Sequence, residues 1–551
     1  MATSTKFALL IALLAAALGL EVRADKGTVC TITVNSSDEK EMFRRYLPED
    51  KFQFVELVER GRPDWLASAC QRRVRCDVLV ISGHFEGTEF FSDQVNVSEF
   101  LPVEEMERVS CSESCPGLFS QLKEVYLFGC NTLNAEAANR AAAEIVSSLV
   151  RSGHSEADAK HLSRVLNQSH SESNRDGMRR IFANVPVIYG FASRAPVGPT
   201  AASTLSRYFQ SASSAEIGRG HMSSKLLSHF ANNSMTVTSG LRDSDPQAVY
   251  RREVCQFFDE RLSPAQKLGF IHQLLGRDMA EVRMFLEHIE KFSTSITEEE
   301  RKTPSFARRL NEIARDQVAR DRYLAFTRDT DRPQIRARMI QLARSFGWLS
   351  PEEERAEMVR MIGDLLAGNA MGAAEVDLVC SLNKEHELDQ ELLRFELSPS
   401  QASKMTHAAA LACLGSVEGR DRVLQGLTSP NDEDIQSAQV YLRHRPITDV
   451  NELRMVAAGI ARMNELGAQV RALDTLARHY LSDRESLDEL TRLFPLAKSV
   501  SVQRAIAGIL IRSDYRAIDK PELISMLHEH RLKSSERNDL IDALIRRLQT
   551  P

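Results

Sequence analysis

Between residues 28 and 209, short apolar runs rich in β-branched and aromatic side chains alternate with amphipathic stretches. Runs of this length and makeup read as buried strands. The pattern predicts strands at Thr28–Val34, Phe52–Val58, Val78–His84, Val125–Cys130 and Val185–Phe191. Helices are predicted at Ser37–Leu47, Asp64–Gln71, Asn134–Val150 and Thr200–Phe209, with a helical turn at Leu118–Lys123. Strands alternating with helices imply an α/β domain whose parallel sheet is covered on both faces. Residues 211–245, rich in Ser, Asn and Gly, read as a linker. From 246 to 551 the strand pattern is gone. Apolar faces recur at i, i+3, i+4 and i+7 in segments such as Ile335–Phe346, Pro351–Leu366, Ala402–Leu414, Asp432–Leu442 and Val502–Ile511. Successive helix pairs spaced by about 30 to 40 residues predict an all-α helical repeat solenoid.

The chain of 551 residues is too long for one hydrophobic core. A net charge of −6 gives no drive toward nucleic acid, and 43% hydrophobic with 26% charged residues is ordinary for a folded protein. At the amino end, Lys6, the apolar run Phe7–Leu20 and the small-x-small site Val22-Arg23-Ala24 have the layout of a signal peptide, 1–24. The expectation is an extracytoplasmic protein, periplasmic or secreted, with an α/β domain over 25–210 and no transmembrane span after signal removal. The nine cysteines can then form disulfides. Cys111 and Cys115 share a polar loop and can pair, as can Cys70 and Cys76 across a basic turn. Cys30 would then be a buried thiol or bond a distant partner such as Cys255. Zinc held by Cys70, Cys76, Cys111 and Cys115 is a rival reading, weakened by the lack of a tight C-x2-C pair. Connectivity stays open.

Two of the predicted strands lead into reactive residues: Val78-Leu79-Val80-Ile81-Ser82-Gly83 into His84, and Val125-Tyr126-Leu127-Phe128-Gly129 into Cys130. In an open parallel sheet the ligand crevice forms at the carboxyl ends of the strands. Neighbouring strands would hold imidazole and thiol side by side, a base with a nucleophile. The backbone N–H groups of Phe85 and Cys130 are the candidate oxyanion donors. Gly129-Cys130-Asn131-Thr132 lacks the C-x-x-C of a thiol–disulfide oxidoreductase. His154, His161 and His170 have no metal-ligand partners at helical spacing. Phosphate-binding, dinucleotide and H-E-x-x-H patterns are missing, so neither a cofactor nor a metal is expected.

These two blocks resemble the caspase-like fold of cysteine peptidases, which includes caspases, gingipains, separases and CHAT-domain peptidases. That family carries one hydrophobic strand ending in Ser-Gly-His and a later one ending in the nucleophilic Cys. The resemblance covers residues 28 to about 209. It implies an endopeptidase with His84 as base, Cys130 as nucleophile and a peptide or protein substrate. It also makes Arg194, just past the strand Val187–Phe191, a candidate for binding an acidic substrate side chain, and the polar stretch 151–180 a candidate activation loop. The family usually has Gly directly after the His, where this chain has Phe85. That departure leaves a second expectation: a catalytically inactive relative acting as an envelope scaffold. The runs 468–477 and 501–510 resemble HEAT-type second helices, which implies a protein partner on the solenoid.

Overall fold

The computed structural model describes residues 26–549 except 58–65, 93–99, 113–114, 116, 137–144, 147–148, 151–152, 170–172, 212–215, 331, 369–370, 394, 396, 479–480, 482, 515–518 and 534–538. The expected signal segment, His170 and much of the expected helix Asn134–Val150 lie outside the described residues. The chain divides into two compact units, one ending at Glu312 and one running from Ile313 to Pro551.

The first unit is built on a six-stranded sheet of order β2-β1-β3-β7-β8-β9. Its strands are β1 (Gly27–Thr33), β2 (Phe52–Glu56), β3 (Val78–Ser82), β7 (Glu124–Phe128), β8 (Val187–Phe191) and β9 (Met235–Thr238). All neighbours pair in parallel except β8 and β9. Period-two alternation sorts the side chains between two cores. Cys30, Ile32, Leu79, Ile81, Val125, Leu127 and Ile188 face one. Val29, Val78, Val80, Tyr126, Phe128, Val187, Tyr189 and Phe191 face the other. The helices Asp38–Tyr46 and Gly198–Ser211 pack together over the second face and supply Phe43, Leu205, Tyr208 and Phe209 to its core.

Three features depart from the sequence expectation. The segment after β3, read as polar and irregular, folds into a small antiparallel sheet of β4 (His84–Phe85), β5 (Glu89–Phe91) and β6 (Phe100–Pro102). The stretch 151–180, expected as an activation loop, carries the helices Glu156–Ser169 and Asn174–Ile181. The expected linker is no linker, because Met235–Thr238 pairs with β8 as an edge strand. The first α-helices beyond 246 belong to the first unit as well. Arg251 of the helix Ala248–Phe258 donates to the carbonyls of Arg180 and Ser110 at 2.8 and 3.2 Å.

The cysteine pairs differ from both local pairings weighed above. Bonds join Cys30 to Cys76, Cys70 to Cys115, Cys111 to Cys255, and Cys380 to Cys413. Cys30 and Cys76 stand at the sheet, Cys30 on β1 and Cys76 just before β3, so tertiary adjacency outweighs nearness in sequence. The proposed zinc ligands are thereby consumed. Cys130 is the free cysteine.

The second unit is helical. Pro351–Ala367 starts at a capping box in which Ser350 and Glu353 satisfy each other's backbone N–H, with Pro351 in the first turn. From Met405 onward the helices Met405–Cys413, Val417–Gly426, Asp432–His444, Val450–Ala461, Leu466–Leu476, Arg484–Leu496 and Val500–Arg512 follow one another. Each of these packs on the next helix but one, so alternate helices form two rows. Gln469 and Gln503 occupy equivalent places and each donates to a carbonyl 9 residues back, Ile460 and Phe494. Bidentate pairs tie successive helices within one row: Arg420 to Glu452 at 2.8 and 2.7 Å, Arg454 to Asp483 at 2.9 and 2.6 Å. Among the described residues no helix is long and apolar enough to cross a membrane.

Digestion without reductant, followed by mass mapping, is expected to recover the four linked peptide pairs. Only the Cys130 peptide should take up an alkylating reagent before reduction. A linked Cys130 peptide, or alkylated Cys111 or Cys255, would contradict this connectivity.

Candidate functional site

The register of two central strands builds the site. Ser82 of β3 lies opposite Phe128 of β7. His84 and Cys130 each follow two residues later, so they leave the sheet at equal heights on neighbouring strands, at the carboxyl rim. The intervening glycines allow the strand ends to touch. Gly83 N–H donates to the Phe128 carbonyl at 3.1 Å. A Cβ on Gly129 would stand 2.8 Å from Phe85 Cβ and 3.0 Å from the Gly83 carbonyl oxygen. No side chain fits there.

His84 is half-buried at the start of β4, its ring centroid 5.5 Å from that of Phe91. Phe85 is buried, with its ring 4.7 Å from Phe90. It lies in extended strand β4 and needs no glycine-like backbone; the left-handed position falls to Gly87, φ +105°, in the hairpin turn. The Glu86 N–H bonds the Glu89 carbonyl at 3.4 Å. Hydrogen-bonded pairs alternate in an antiparallel ladder, so the adjacent Phe85–Phe90 pair is a non-bonded one. The Phe85 N–H therefore points away from β5. Phe85 is thus a packing residue of the small sheet.

Cys130 is half-buried, and its Sγ accepts the Ala195 N–H at 3.3 Å. The following loop is pinned to the next strand. Asn131 takes a left-handed conformation at φ 58°, which Asn tolerates better than most residues. Its N–H donates to the Ser193 carbonyl at 2.6 Å, and its carbonyl accepts the Asn174 side-chain amide at 2.9 Å. Thr132, fully buried, donates to the Gly129 carbonyl at 3.1 Å and accepts the Phe191 N–H at 3.0 Å. Arg194 is exposed, between Ser193, which holds Asn131, and Ala195, which holds the sulfur. All four expected residues thus lie just past the carboxyl ends of β3, β7 and β8, His84 and Phe85 on β4 and Cys130 and Arg194 in loops. His154 and His161 are exposed, in a loop and on the helix Glu156–Ser169. Among the described residues no His, Cys, Asp and Glu group could hold a metal.

Sequence reasoning missed Ala195, Asn131, Thr132, Asn174 and Glu39. Glu39, in the first turn of Asp38–Tyr46, looks like an ordinary helix-start acid, yet only 3% of it is exposed. Burial pushes its carboxyl up to about 7, against hydrogen bonds from its own N–H and the Ser82 side chain. Its Oε2 has no hydrogen-bond partner among the described residues. A buried acid thus underlies the strand that delivers His84. Compared with protein-family models, curated proteins and solved structures, the chain matches none.

Gly129→Ala is expected to destabilise the chain by about 1–3 kcal/mol through overpacking between the two strand ends. Gly177→Ala, in a helix where the new Cβ meets only the Arg180 guanidinium at 3.9 Å, should not. Urea unfolding of both variants separates the cases; equal midpoints would mean that the strand ends are not in contact. For Glu39 the folded-state value, about 7, lies above the ordinary 4.5. Between these values the folded chain keeps a proton that the unfolded chain has lost, so stability falls as pH rises through that window. Above it the ionised group costs about 3 kcal/mol. Glu39→Gln should therefore raise the thermal midpoint at pH 8 and leave it unchanged near pH 4. A gain of the same size at both pH values would refute the buried-acid account.

Proposed function

We propose that the first unit is a cysteine endopeptidase of the caspase-like kind. The observation that carries this reading is the Ser82–Phe128 register, from which His84 and Cys130 emerge together at the rim of a parallel sheet. In the proposed reaction His84 takes the thiol proton of Cys130. The sulfur attacks the scissile carbonyl carbon, and the oxygen's developing charge is held by the N–H groups of Phe85 and Cys130. Collapse of the adduct breaks the C–N bond, and the imidazolium gives its proton to the leaving amine. Water, deprotonated by His84, then cleaves the thioester and restores the thiol. The Ala195 N–H gives the sulfur a donor suited to negative charge. Arg194, exposed between two residues that touch the nucleophile loop, is proposed to bind an acidic substrate side chain.

The helical unit is proposed to be a HEAT-like solenoid that holds a protein partner on its extended surface. The two rows of alternate helices and the recurring Gln469 and Gln503 bonds support this. Four disulfides and the signal-like amino end support an extracytoplasmic location.

The test is labelling of the full chain with a peptidyl electrophile bearing Asp at its last position, followed by mass mapping. Rapid modification of Cys130 is expected, slowed about 100-fold or more by His84→Ala. Arg194→Ala should slow the Asp probe more than a Leu probe. Labelling of Cys130 at the rate of an ordinary thiol in all variants would leave the domain as an inactive scaffold.

A further inference from the structure

A cavity lies well apart in sequence from His84 and Cys130, where the helices Val103–Cys111, Ala248–Phe258, Pro264–Leu275 and Leu286–Ser295 meet within the first unit. Its volume is about 340 Å³, within the range of small-molecule sites. Phe257, Phe258, Leu262, Phe292 and Ile296 give it apolar walls. The helix Leu286–Ser295 turns one whole stripe toward it, His288, Lys291, Phe292 and Ser295, at i, i+3, i+4 and i+7.

Most charges on the lining are already matched. Lys291 bonds Glu104 and Glu287, each at 3.0 Å. Arg108 is bidentate to Glu105 at 2.7 and 2.8 Å. His288 Nε2 meets Glu107 at 3.2 Å, and Glu300 closes the capping box at Thr297. Lys267 is the exception. Its half-buried ammonium donates to the Phe257 carbonyl at 2.7 Å, and no carboxylate stands within ion-pair distance among the described residues. Burial lowers its hold on the proton against the attraction of Asp259 and Glu260, which act from beyond ion-pair distance, and an anion in direct contact would add to theirs.

We propose that this cavity binds a small amphipathic carboxylic acid, with its carboxylate on Lys267 and its aliphatic or aromatic body against the phenylalanines. The site is independent of the peptidase reading. The experiment is calorimetric titration of the full chain with octanoate and, separately, with 1-octanol. Saturable binding of one octanoate per chain is expected, with octanol at least about tenfold weaker. Lys267→Met should remove the preference for the acid while leaving octanol binding intact. Ile296→Trp, which fills the cavity, should abolish both. Absence of saturable octanoate binding, equal affinity for acid and alcohol in the wild type, or octanoate binding unaffected by either substitution would overturn the proposal.

Discussion

The site depends on how closely two strands can approach. β3 and β7 run in parallel with Ser82 opposite Phe128, and beyond that pair the backbones continue in contact because Gly83 and Gly129 lack side chains. A one-residue slip would move His84 and Cys130 to different heights and send their neighbours to the opposite core. The register is held by the apolar alternation on both strands, since each face of the sheet is buried. The geometry of the imidazole and the thiol thus follows from the packing of Val78 to Ile81 against Val125 to Phe128, none of which carries chemistry.

Around that pair the structure is stiffened by hydrogen bonds from the next strand over. Thr132 joins the carbonyl before Cys130 to the amide of Phe191, and Ser193 holds Asn131. The loop after β8 is held in turn by Ser234, whose hydroxyl accepts the Ser193 N–H at 3.1 Å. The turn before β9, inside the stretch that reads as a linker, thereby supports the loop after Cys130 through two intermediaries. Beneath β3, the buried Glu39 costs stability when ionised.

The Cys111–Cys255 bond and the Arg251 contacts explain why the first unit outruns the α/β sequence pattern. Helices that read as the start of a repeat array are recruited to cover the α/β domain, and the cavity with Lys267 lies among them. In the second unit local rules suffice for most of the helices. Capping residues such as Ser350 and Asp449 start them, and apolar stripes pack each on its neighbours.

Strands, most helices and the position of His84 and Cys130 just past neighbouring strands were legible because period-two and period-3.6 patterns are local, and because a residue after an apolar strand marks a sheet rim. The β4–β6 sheet was not, since strands of two or three residues leave too little alternation to detect. The edge strand Met235–Thr238, only partly buried, carries a weak signal for the same reason. Cysteine pairing followed tertiary adjacency: Cys70 bonds Cys115 and leaves Cys76 to Cys30, and chain proximity had no bearing. The sequence by itself determined which segments bury apolar surface, and hence the sheet's two cores and the helical character of the remainder. Only the tertiary structure decided what a burial pattern cannot express: that Glu39 is desolvated beside Ser82, and that the Ala195 N–H reaches the sulfur of Cys130. Each depends on residues brought together by folding across long separations in the chain.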